Sequence, residues 1–449
     1  MHGSLADSAR VLGVPAPTVN ASFRGVSTDT RTLAQDNLFV ALNGPNYTGA
    51  DFVSVAREAG AAAAITDRQV DDVLPQLVVD DTRDAIGALA RDWRRRFSPQ
   101  VIGITGSNGK TTTRSLIAAC CGPETLATVG NLNNDIGVPL TLFRLDASHR
   151  RAVIEMGANH QGEIAALAAI AEPSIGIVTN AGPAHLEGFG GIDGVAQGKG
   201  ELFKALDRGD VAVINADDVY APLWRELAAP ATVRTFGSTP DADVWFDDVR
   251  VREGGGLDFR LNVAGESADV SLALDGRHNA MNAAGAAAAA LAAGVPLAQI
   301  VARLSTVMAE PGRQRVVAGR EGAQLVDDSY NANPASMRAG AASLVAAGGR
   351  AWMVVGDMGE LGDDTESLHA ALGRDLAAAG VERLFALGPL SAATAQAFGE
   401  LAEHFEDHDA LAERVAQGLA PDVRVLVKGS RSMRMEHIVE RLRAVEETA

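Results

Sequence analysis

A Gly109-Lys110-Thr111 triplet follows a short β-branched run at 101–105 and precedes a segment, 114–121, whose pattern predicts a helix. A strand, a glycine-rich turn and a helix in this order form a phosphate-binding loop (P-loop), because backbone N–H groups and the positive helix N-terminus face one anion. The lysine reaches the outer phosphates and the threonine can hold Mg²⁺. The spacing departs from the strict G-x-x-x-x-G-K-[ST] form, which needs glycine at position 104, where this chain has Ile104. The predicted loop comprises Gly106, Ser107, Asn108, Gly109, Lys110, Thr111 and Thr112.

Composition limits the classes of function that remain. The chain has 449 residues, 47% apolar and 21% charged, which is typical of soluble globular proteins with about three domains. A net charge of −18 argues against sequence-independent binding of nucleic acid or an anionic membrane. An anionic substrate would therefore have to be captured by local groups.

No targeting or spanning segment is predicted. Residues 1–14 lack an apolar core of signal-peptide length, and the most apolar run, 283–295, is broken by glycines and stopped by Pro296. The two cysteines, Cys120 and Cys121, are adjacent and have no distant partner, which fits a reducing compartment. We therefore expect a cytoplasmic protein without membrane insertion.

The apolar pattern divides the chain into three α/β parts. Short apolar runs and a helical pattern at 84–97 predict a small first domain that ends near Ser98-Pro99. Continuous apolar strands at 152–156, 175–179 and 211–214 alternate with helices, which predicts a mostly parallel sheet covered on both faces. Antiparallel strands are predicted within 244–274, and strand and helix patterns alternate again after 313. No G-x-G-x-x-G follows a strand of the third part, so a dinucleotide cofactor is not indicated.

Three polar residues stand out in the middle part. Glu155 interrupts an apolar strand, and a buried carboxylate must be paired or coordinate a metal. His185 lies in a Gly/Pro-rich loop; either it has a functional role or it is merely an exposed histidine. Lys199 lies between two glycines, where the alternative is a solvated surface lysine.

Several polar clusters have a structural and a functional interpretation. Asn279 and Asn282 are three residues apart, which places both amides on one face of a helix, although Asn279 could simply be an N-cap. The loops 27–31 and 43–49 suit a diphosphate or a nucleobase, or are ordinary capped turns. Polar loops at 327–334, 356–360 and 428–431 follow strands of the third part, and together they indicate a site at one sheet edge.

These motifs, in this order, resemble the Mur ligase family, which makes the peptide stem of the bacterial cell wall and has folylpolyglutamate synthase as a relative. The resemblance extends from Val26 to Arg431. Within the family, segments 130–139, 155–159 and 328–334 are similar to the members that add D-alanyl-D-alanine. The sister enzymes that add the third residue typically have Tyr-Ala-His-Thr-Pro where this chain has residues 329–334. The resemblance rests on residues 105–112, Glu155, His185, Lys199, His278, Asn279, Asn282, Arg313 and Asp328.

The resemblance implies a three-domain α/β architecture and a reaction. Residues 1–97 would bind the UDP-linked substrate, 98–312 would form the central P-loop domain, and 313–449 would form a Rossmann-like domain that contributes to ATP and D-alanyl-D-alanine binding. ATP would phosphorylate the free carboxylate of UDP-N-acetylmuramoyl-tripeptide. The amino group of D-alanyl-D-alanine would then attack the acyl phosphate, giving an amide, ADP and phosphate. We expect a monomer with these two substrates as its partners.

The resemblance also assigns roles residue by residue. Lys110 would neutralise the transferring phosphoryl group, and Thr111 and Glu155 would hold one Mg²⁺. A carbamylated lysine and a histidine of the family match Lys199 and His185, at a second Mg²⁺. The remaining assignments are Asn279 and Asn282 near adenine, Arg313 and Asp328 at phosphate and ribose, Ser27, Thr28, Asp29, Thr30 and Arg31 at UDP, Asn133 and Asn134 in a substrate loop, and Tyr330, Asn331 and Asn333 as candidates for D-alanyl-D-alanine.

One departure and two rival functions remain. Many relatives have Asp-Gly-His-Asp-Phe where this chain has residues 48–52, Thr-Gly-Ala-Asp-Phe, so a histidine contact would be missing. One rival is a sister ligase that adds another amino acid or glutamate, against which the 331–334 loop argues. The other is a nucleotide-dependent switch or scaffold, which would have no use for Lys199, His185 and three polar loops from a separate domain.

Overall fold

The first part of the chain carries two small sheets packed against one long helix. The computed structural model describes residues 1–252 and 255–444. An antiparallel pair, β1-β2, precedes a parallel sheet of order β3-β4-β5-β6. The elements are β1 (His2–Ser4), α1 (Leu5–Leu12), β2 (Ser22–Arg24), β3 (Val26–Ser27), β4 (Leu38–Val40), α2 (Val53–Glu58), β5 (Ala63–Thr66), β6 (Gln76–Val78) and α3 (Thr82–Arg95).

Helix α3 joins the first part to the middle part. It begins at Thr82 because the Asp81 carboxylate accepts hydrogen bonds from the backbone N–H groups of Arg83 and Asp84. Its apolar face is buried, and the indole N–H of Trp93 donates to the carbonyl of Leu145 at 3.1 Å. One hydrophobic core therefore continues from the first part into the middle part.

The middle part is built on a nine-stranded sheet of order β15-β14-β13-β12-β11-β10-β7-β9-β8. Pairing is parallel from β8 to β13 and antiparallel in the last two pairs. The elements are β7 (Gln100–Thr105), α4 (Lys110–Cys121), β8 (Thr125–Ala127), α5 (Gly137–Leu142), β9 (Arg151–Glu155), α6 (Glu163–Ala171), β10 (Ile175–Val178), α7 (Leu186–Phe189), α8 (Ile192–Lys204), β11 (Val211–Asn215), α9 (Ala221–Leu227), β12 (Thr232–Gly237), β13 (Val244–Val251), β14 (Leu257–Val263), β15 (Glu266–Leu272), α10 (Arg277–Ala292) and α11 (Leu297–Leu304).

The order of this sheet places the phosphate-binding loop at a switch point. Strand β7 lies between β9 and β10, so the chain leaves β7 toward β8 on one side and later returns to β10 on the other. Open α/β sheets bind ligands in the crevice at such a point, outside the carboxyl ends of the strands. The antiparallel strands predicted in 244–274 are confirmed, and they extend this same sheet; residues 253–254 of that segment lie outside the described residues.

The third part is a six-stranded sheet of order β16-β17-β21-β18-β19-β20, parallel except for the β16-β17 pair. Strands β16 and β20 are not predicted from the sequence, because both are edge strands without a buried apolar run. The elements are β16 (Arg315–Ala318), β17 (Gln324–Asp327), α12 (Pro334–Ala346), β18 (Arg350–Gly356), α13 (Thr365–Ala378), β19 (Arg383–Leu387), α14 (Ser391–Phe398), β20 (Ala402–Phe405), α15 (His408–Ala416), β21 (Val423–Lys428) and α16 (Glu436–Leu442).

A short irregular segment, residues 305–314, connects α11 to β16, and we call it the linker. Residues 445–449, the end of the predicted third domain, lie outside the described residues. The mixed α/β class and the mostly parallel central sheet agree with the prediction. Over the described ranges, no helix has the length and apolar character needed to cross a membrane.

Candidate active site

A cavity of about 1070 Å³ lies between the phosphate-binding loop and the strand ends of the third sheet. Residues of all three parts line it. Among the predicted site residues it collects Ser107, Asn108, Gly109, Lys110, Thr111, Thr112, Asn133, Asn134, Glu155, His185, Asn279, Asn282, Arg313, Asp328, Tyr330, Asn331 and Asn333. Gly106, Lys199 and the loop 27–31 are not part of its lining.

Two glycines give the phosphate-binding loop its shape. Gly106 has a φ of 143°, and a Cβ there would lie 1.9 Å from the hydroxyl of Thr179. Gly109 has a φ of 80°, and a Cβ there would lie 2.6 Å from the amide oxygen of Asn282. Both conformations disfavour residues other than glycine. The loop therefore approaches β10 and α10 more closely than a side chain would permit.

Lys110 folds back over the loop that precedes it. Its ammonium donates to the carbonyl oxygens of Gly106 at 2.7 Å and of Ser107 at 3.3 Å. Burial lowers the pKa of Lys110, and the positive charge of Arg313 adds to that effect while Glu155 opposes it. Among the described residues, the hydrogen-bond partners of this cation are neutral carbonyls, which favours the arrival of an anion such as a phosphate.

Glu155 is buried at the end of β9 and is paired on both of its oxygens. Oε1 lies 3.3 Å from the Thr111 hydroxyl and 2.9 Å from the amide nitrogen of Asn133, whereas Oε2 lies 3.3 Å from Arg114. A buried carboxylate was expected to be paired or to coordinate a metal, and Glu155 is paired. The hydroxyl and carboxylate oxygens of Thr111 and Glu155 face the cavity together and suit Mg²⁺, whose other ligands are usually water and phosphate.

Lys199 is buried in α8 and only 2% exposed, so the surface-lysine alternative is wrong. Its ammonium donates to the carbonyl of Ala158 at 3.0 Å and lies 4.9 Å from the centre of the Phe189 ring. Burial, followed by repulsion from Lys110, lowers the pKa of Lys199 to about 7. A large fraction of this side chain is therefore a neutral amine near neutral pH.

His185 pairs across the cavity with Glu360 of the third part, so it is not a merely exposed loop residue. Burial is the main cause that lowers the pKa of His185, and the lysines at 110 and 199 add to it, while Glu360 opposes it. In the described ranges, no three His, Cys, Asp or Glu side chains are arranged to hold a metal ion.

Asn279 and Asn282 form a hydrogen-bonded pair on one face of α10. The Asn282 amide donates to the Asn279 oxygen at 2.9 Å, and the Asn279 amide donates to the carbonyl of Asp275 at 2.7 Å. The helix begins at Arg277 after the cap residue Gly276, so the interpretation of Asn279 as an N-cap is wrong. Both amides lie beside the phosphate-binding loop, on the side where Asn282 contacts Gly109.

The linker and the third part contact the phosphate-binding loop directly. Arg313 donates to the Thr111 hydroxyl at 3.1 Å, and the Asn333 amide donates to the Asn108 side-chain oxygen at 2.8 Å. The guanidinium of Arg313 stacks 3.9 Å from the centre of the Tyr330 ring. These contacts bring the 327–334 loop to the nucleotide side of the cavity.

A buried ion pair holds the same loop from behind. Lys428 lies 2.8 Å from the Asp328 carboxylate and donates to the carbonyl of Asn331 at 2.7 Å. Asn333 also caps α12 in a capping box with Ser336, so this asparagine both begins a helix and contacts the phosphate-binding loop.

The first-part loop 27–31 lies outside the cavity lining. Asp29 and Arg31 form an exposed ion pair of 2.6 Å, and Ser27 accepts a hydrogen bond from the Asp29 backbone at 3.2 Å. The hydrogen bonds of Arg31 lower the pKa of Asp29 to about 2. The internal bonds of this loop are those of a capped turn, and its role toward UDP stays a prediction.

Two arginines of the cavity and its network were missed in the sequence analysis. Arg83, on α3, forms a 2.6 Å ion pair with Asp135, and both line the cavity. Arg114 is almost fully buried beside Glu155. Neither arginine belongs to a motif, and their partners are 52 and 41 residues distant in sequence, so only the tertiary structure reveals them.

The fold and the cavity define a nucleotide-binding ligase architecture, and comparison with known families agrees. The model described as Mur ligase family, catalytic domain, matches residues 22–94. The Mur ligase middle domain matches 104–290, and the Mur ligase, glutamate ligase domain, matches 312–431. The chain belongs to the Mur ligase family.

Comparison with individual proteins indicates which members of the family this chain resembles. The chain is 43% identical to the UDP-N-acetylmuramoyl-tripeptide–D-alanyl-D-alanine ligase of Escherichia coli (strain K12), over 93% of each chain. It is 34% identical to the ligase of the same name from Haemophilus influenzae, over 94% of each. Crystal structure I of MurF from Acinetobacter baumannii superposes with a TM-score of 0.90 at 33% identity and covers 98% of both chains. MurF ligase from Thermotoga maritima in complex with ADP superposes with a TM-score of 0.84 at 27% identity, over 93% of this chain and 96% of that one.

Proposed function

We propose that this chain is an ATP-dependent ligase that joins D-alanyl-D-alanine to UDP-N-acetylmuramoyl-tripeptide. The observation that carries the proposal is the contact between the phosphate-binding loop and the 327–334 loop, directly through Asn333 and also through Arg313 of the linker, which bonds to Thr111 and stacks on Tyr330. A nucleotide on the first loop would lie beside an acceptor site built by the second. The names of the relatives over almost the full chain support the same activity.

The chemistry requires an activated carboxylate. Hydroxide is a poor leaving group, so the amine cannot displace it directly; transfer of the γ-phosphoryl group of ATP to the tripeptide carboxylate creates a phosphate leaving group. The amine nitrogen of D-alanyl-D-alanine then forms the C–N bond as the C–O bond to phosphate breaks, and the amine loses a proton. Lys110 and Arg313, both at the loop, would neutralise the charge that accumulates on the phosphoryl oxygens.

Magnesium fits the oxygens of Thr111 and Glu155, and when bound there it would supply charge neutralisation at the phosphates. Asn133 orients the Glu155 carboxylate through its amide hydrogen bond of 2.9 Å. Asn279 and Asn282 would receive the adenine side of ATP, and Asp328, held by Lys428, would receive the ribose.

Lys199 fits the carbamylation that the family resemblance implies. The neutral amine is the form that adds CO₂ and releases a proton, and the lowered pKa of Lys199 favours that form. Carbamylation would replace the buried ammonium of Lys199 with a carbamate, whose oxygens would be metal ligands beside His185. Intact-protein mass under native conditions and ¹³C spectroscopy after incubation with ¹³CO₂ test this; an unlabelled Lys199 would contradict it.

The two substrates would enter from opposite sides of the cavity. Asn134 and the loop 27–31 would bind the UDP-linked substrate, with Asn133 beside the reacting carboxylate. Tyr330, Asn331 and Asn333 would bind the dipeptide. We further propose a cytoplasmic monomer with domains at 1–97, 98–312 and 313–449, which light scattering of the purified chain and limited proteolysis at the two boundaries would test.

Phosphate release tests the reaction and the acceptor together. The protein is incubated with ATP, Mg²⁺ and UDP-N-acetylmuramoyl-tripeptide, with D-alanyl-D-alanine or with L-lysine or D-glutamate as control amines. We expect release that rises only with D-alanyl-D-alanine, together with the mass of the pentapeptide product. Release that is indifferent to the dipeptide would refute the proposal, and release that rises with a control amine would indicate a sister ligase.

A further inference from the structure

Arg114 joins the phosphate-binding region to the linker. It lies on α4, one turn after Lys110, and is only 3% exposed. One terminal nitrogen donates to the carbonyl of Gly130 at 2.9 Å and lies 3.3 Å from Glu155; the other pairs with Glu310 of the linker. One guanidinium therefore contacts the end of β9, the start of the 130–136 loop and the linker.

The chemistry of the guanidinium suits this arrangement. Its planar fork presents donors in fixed directions, so it can serve two carboxylates and a carbonyl at once, which a lysine ammonium cannot do with the same geometry. A buried charge also needs compensation, and here two carboxylates share that role. The Ser115 hydroxyl is hydrogen-bonded to Glu310 as well, which fixes the linker carboxylate on α4.

The two oxygens of Glu155 therefore have different tasks. Oε2 faces Arg114, while Oε1 faces Thr111 and Asn133. The direction in which Arg114 is held decides how far the carboxylate turns toward Thr111. Glu310 is the only described partner of Arg114 that lies in the linker, and Arg313, three residues later, contacts Thr111 itself.

We propose that Arg114 is a positioning residue through which the linker residue Glu310 holds the Glu155 carboxylate against Thr111. The inference rests on the proposed function, in which Thr111 and Glu155 hold the Mg²⁺ of the nucleotide. If Glu310 loses its charge, Arg114 has one carboxylate left, moves toward Glu155 and competes with the metal ion for it. The position of the linker is thereby coupled to metal–nucleotide binding.

The test is calorimetric titration of ADP into the full-length protein, once with Mg²⁺ and once with EDTA. For Glu310→Gln, which keeps the shape of the side chain, we expect ADP binding in Mg²⁺ to weaken about tenfold. Binding in EDTA should not change, because the metal is absent. Glu382→Gln is the matched control: Glu382 pairs with Arg350 at 2.8 Å, at the opposite end of the third sheet, and should alter neither titration.

A double variant shows whether the two residues act as one unit. Arg114→Lys should also weaken binding only in Mg²⁺, and Arg114→Lys with Glu310→Gln should bind no more weakly than Arg114→Lys alone, because both changes remove the same contact. Thermal melting confirms that each variant is folded.

The inference is overturned if Glu310→Gln stays within about twofold of wild type in Mg²⁺, or if its loss is equal in EDTA. A wild-type protein whose ADP affinity does not depend on Mg²⁺ would overturn it as well. The titrations contain neither the tripeptide nor D-alanyl-D-alanine. A chain that binds ADP with Mg²⁺ but releases no phosphate in the ligation assay would thus refute the proposed function and leave the result for Glu310 readable.

Discussion

Two buried charges near the phosphate-binding loop, those of Glu155 and Lys199, are compensated differently. Glu155 is bonded to Thr111, Asn133 and Arg114, so its charge is compensated within the middle part. Lys199, on α8, has only the neutral carbonyl of Ala158 as its hydrogen-bond partner among the described residues.

This difference separates a buried charge that the fold compensates from one that it compensates only weakly. A compensated buried charge contributes to the fold, and removal of one partner leaves the other unpaired. A buried lysine that bonds to a carbonyl, lies over an aromatic ring and is attracted only by the more distant carboxylates of Glu163 and Glu201 gains little stability from its charge. We infer that Glu155 serves both the fold and the metal site, whereas Lys199 is retained for its chemistry.

Glu155→Ala gives the largest expected effect. The buried Arg114 loses a partner, so the free energy of unfolding should fall by about 2–4 kcal/mol, and phosphate release should fall about a thousandfold as a metal ligand and its positioning are lost. Chemical denaturation and the ligation assay measure both. Glu382→Ala, in a partly exposed pair, should cost about 0–1 kcal/mol. Equal losses in the two variants would show that Glu155 is an ordinary ion-pair residue.

Lys199→Met tests the other half of this comparison, the weakly compensated charge. Methionine keeps most of the buried volume and removes a charge that the fold compensates only weakly, so stability should be unchanged or higher. Phosphate release should nevertheless fall about a hundredfold. Loss of stability comparable to that of Glu155→Ala would contradict a purely chemical role for Lys199.

The pH dependence of stability sharpens the same point. Burial lowers the pKa of Lys199 to about 7, from the ordinary lysine value of 10.5. Between these values the unfolded chain binds more protons than the folded one, so stability rises with pH. In CO₂-free buffer, where Lys199 is the free amine, the wild type should gain about 2 kcal/mol relative to Lys199→Met from pH 7 to pH 9 in denaturant titrations, since one pKa unit is worth about 1.4 kcal/mol. A flat difference would mean that Lys199 titrates near its ordinary pKa.

Arg31→Ala has the smallest expected effect on the fold. Its pair with Asp29 is exposed, so thermal melting should hardly change. If the loop 27–31 binds UDP, KM for the UDP-linked substrate should rise about tenfold with kcat unchanged. Arg68→Ala, in another exposed pair of the first part, is the control. An unchanged KM would leave the loop as a capped turn.

Much of the fold could be predicted from local pattern. The strand before the phosphate-binding loop, the helix after it and the parallel strands of the middle part carry continuous apolar runs, and these runs match β7, β9, β10 and β11. Edge strands such as β16 and β20 lack such runs and were invisible. The N-cap interpretation of Asn279 was wrong, because Gly276 is the cap residue, and the side chain of Asn279 instead accepts a hydrogen bond from Asn282.

The candidate site was predictable in its motifs but not in its pairings. The loop glycines, Lys110 and Thr111 predict a phosphate-binding site, because the motif depends on residues that are close in sequence. The partners of Glu155 and of His185 come from other segments, and His185 meets Glu360 only when the third part folds against the middle part. The burial of Lys199 could not be predicted either, because the two glycines that flank it do not indicate which elements cover α8.

The sequence by itself determined the α/β class, the phosphate-binding loop and the family, because these depend on residue type at short spacing. The tertiary structure decided that Glu155 shares Arg114 with the linker, that Lys199 is buried with a lowered pKa, and that the loop 27–31 lies outside the cavity. The physical reason is that desolvation and ion pairing depend on which distant segments come within a few ångströms of each other, and no local pattern carries that information.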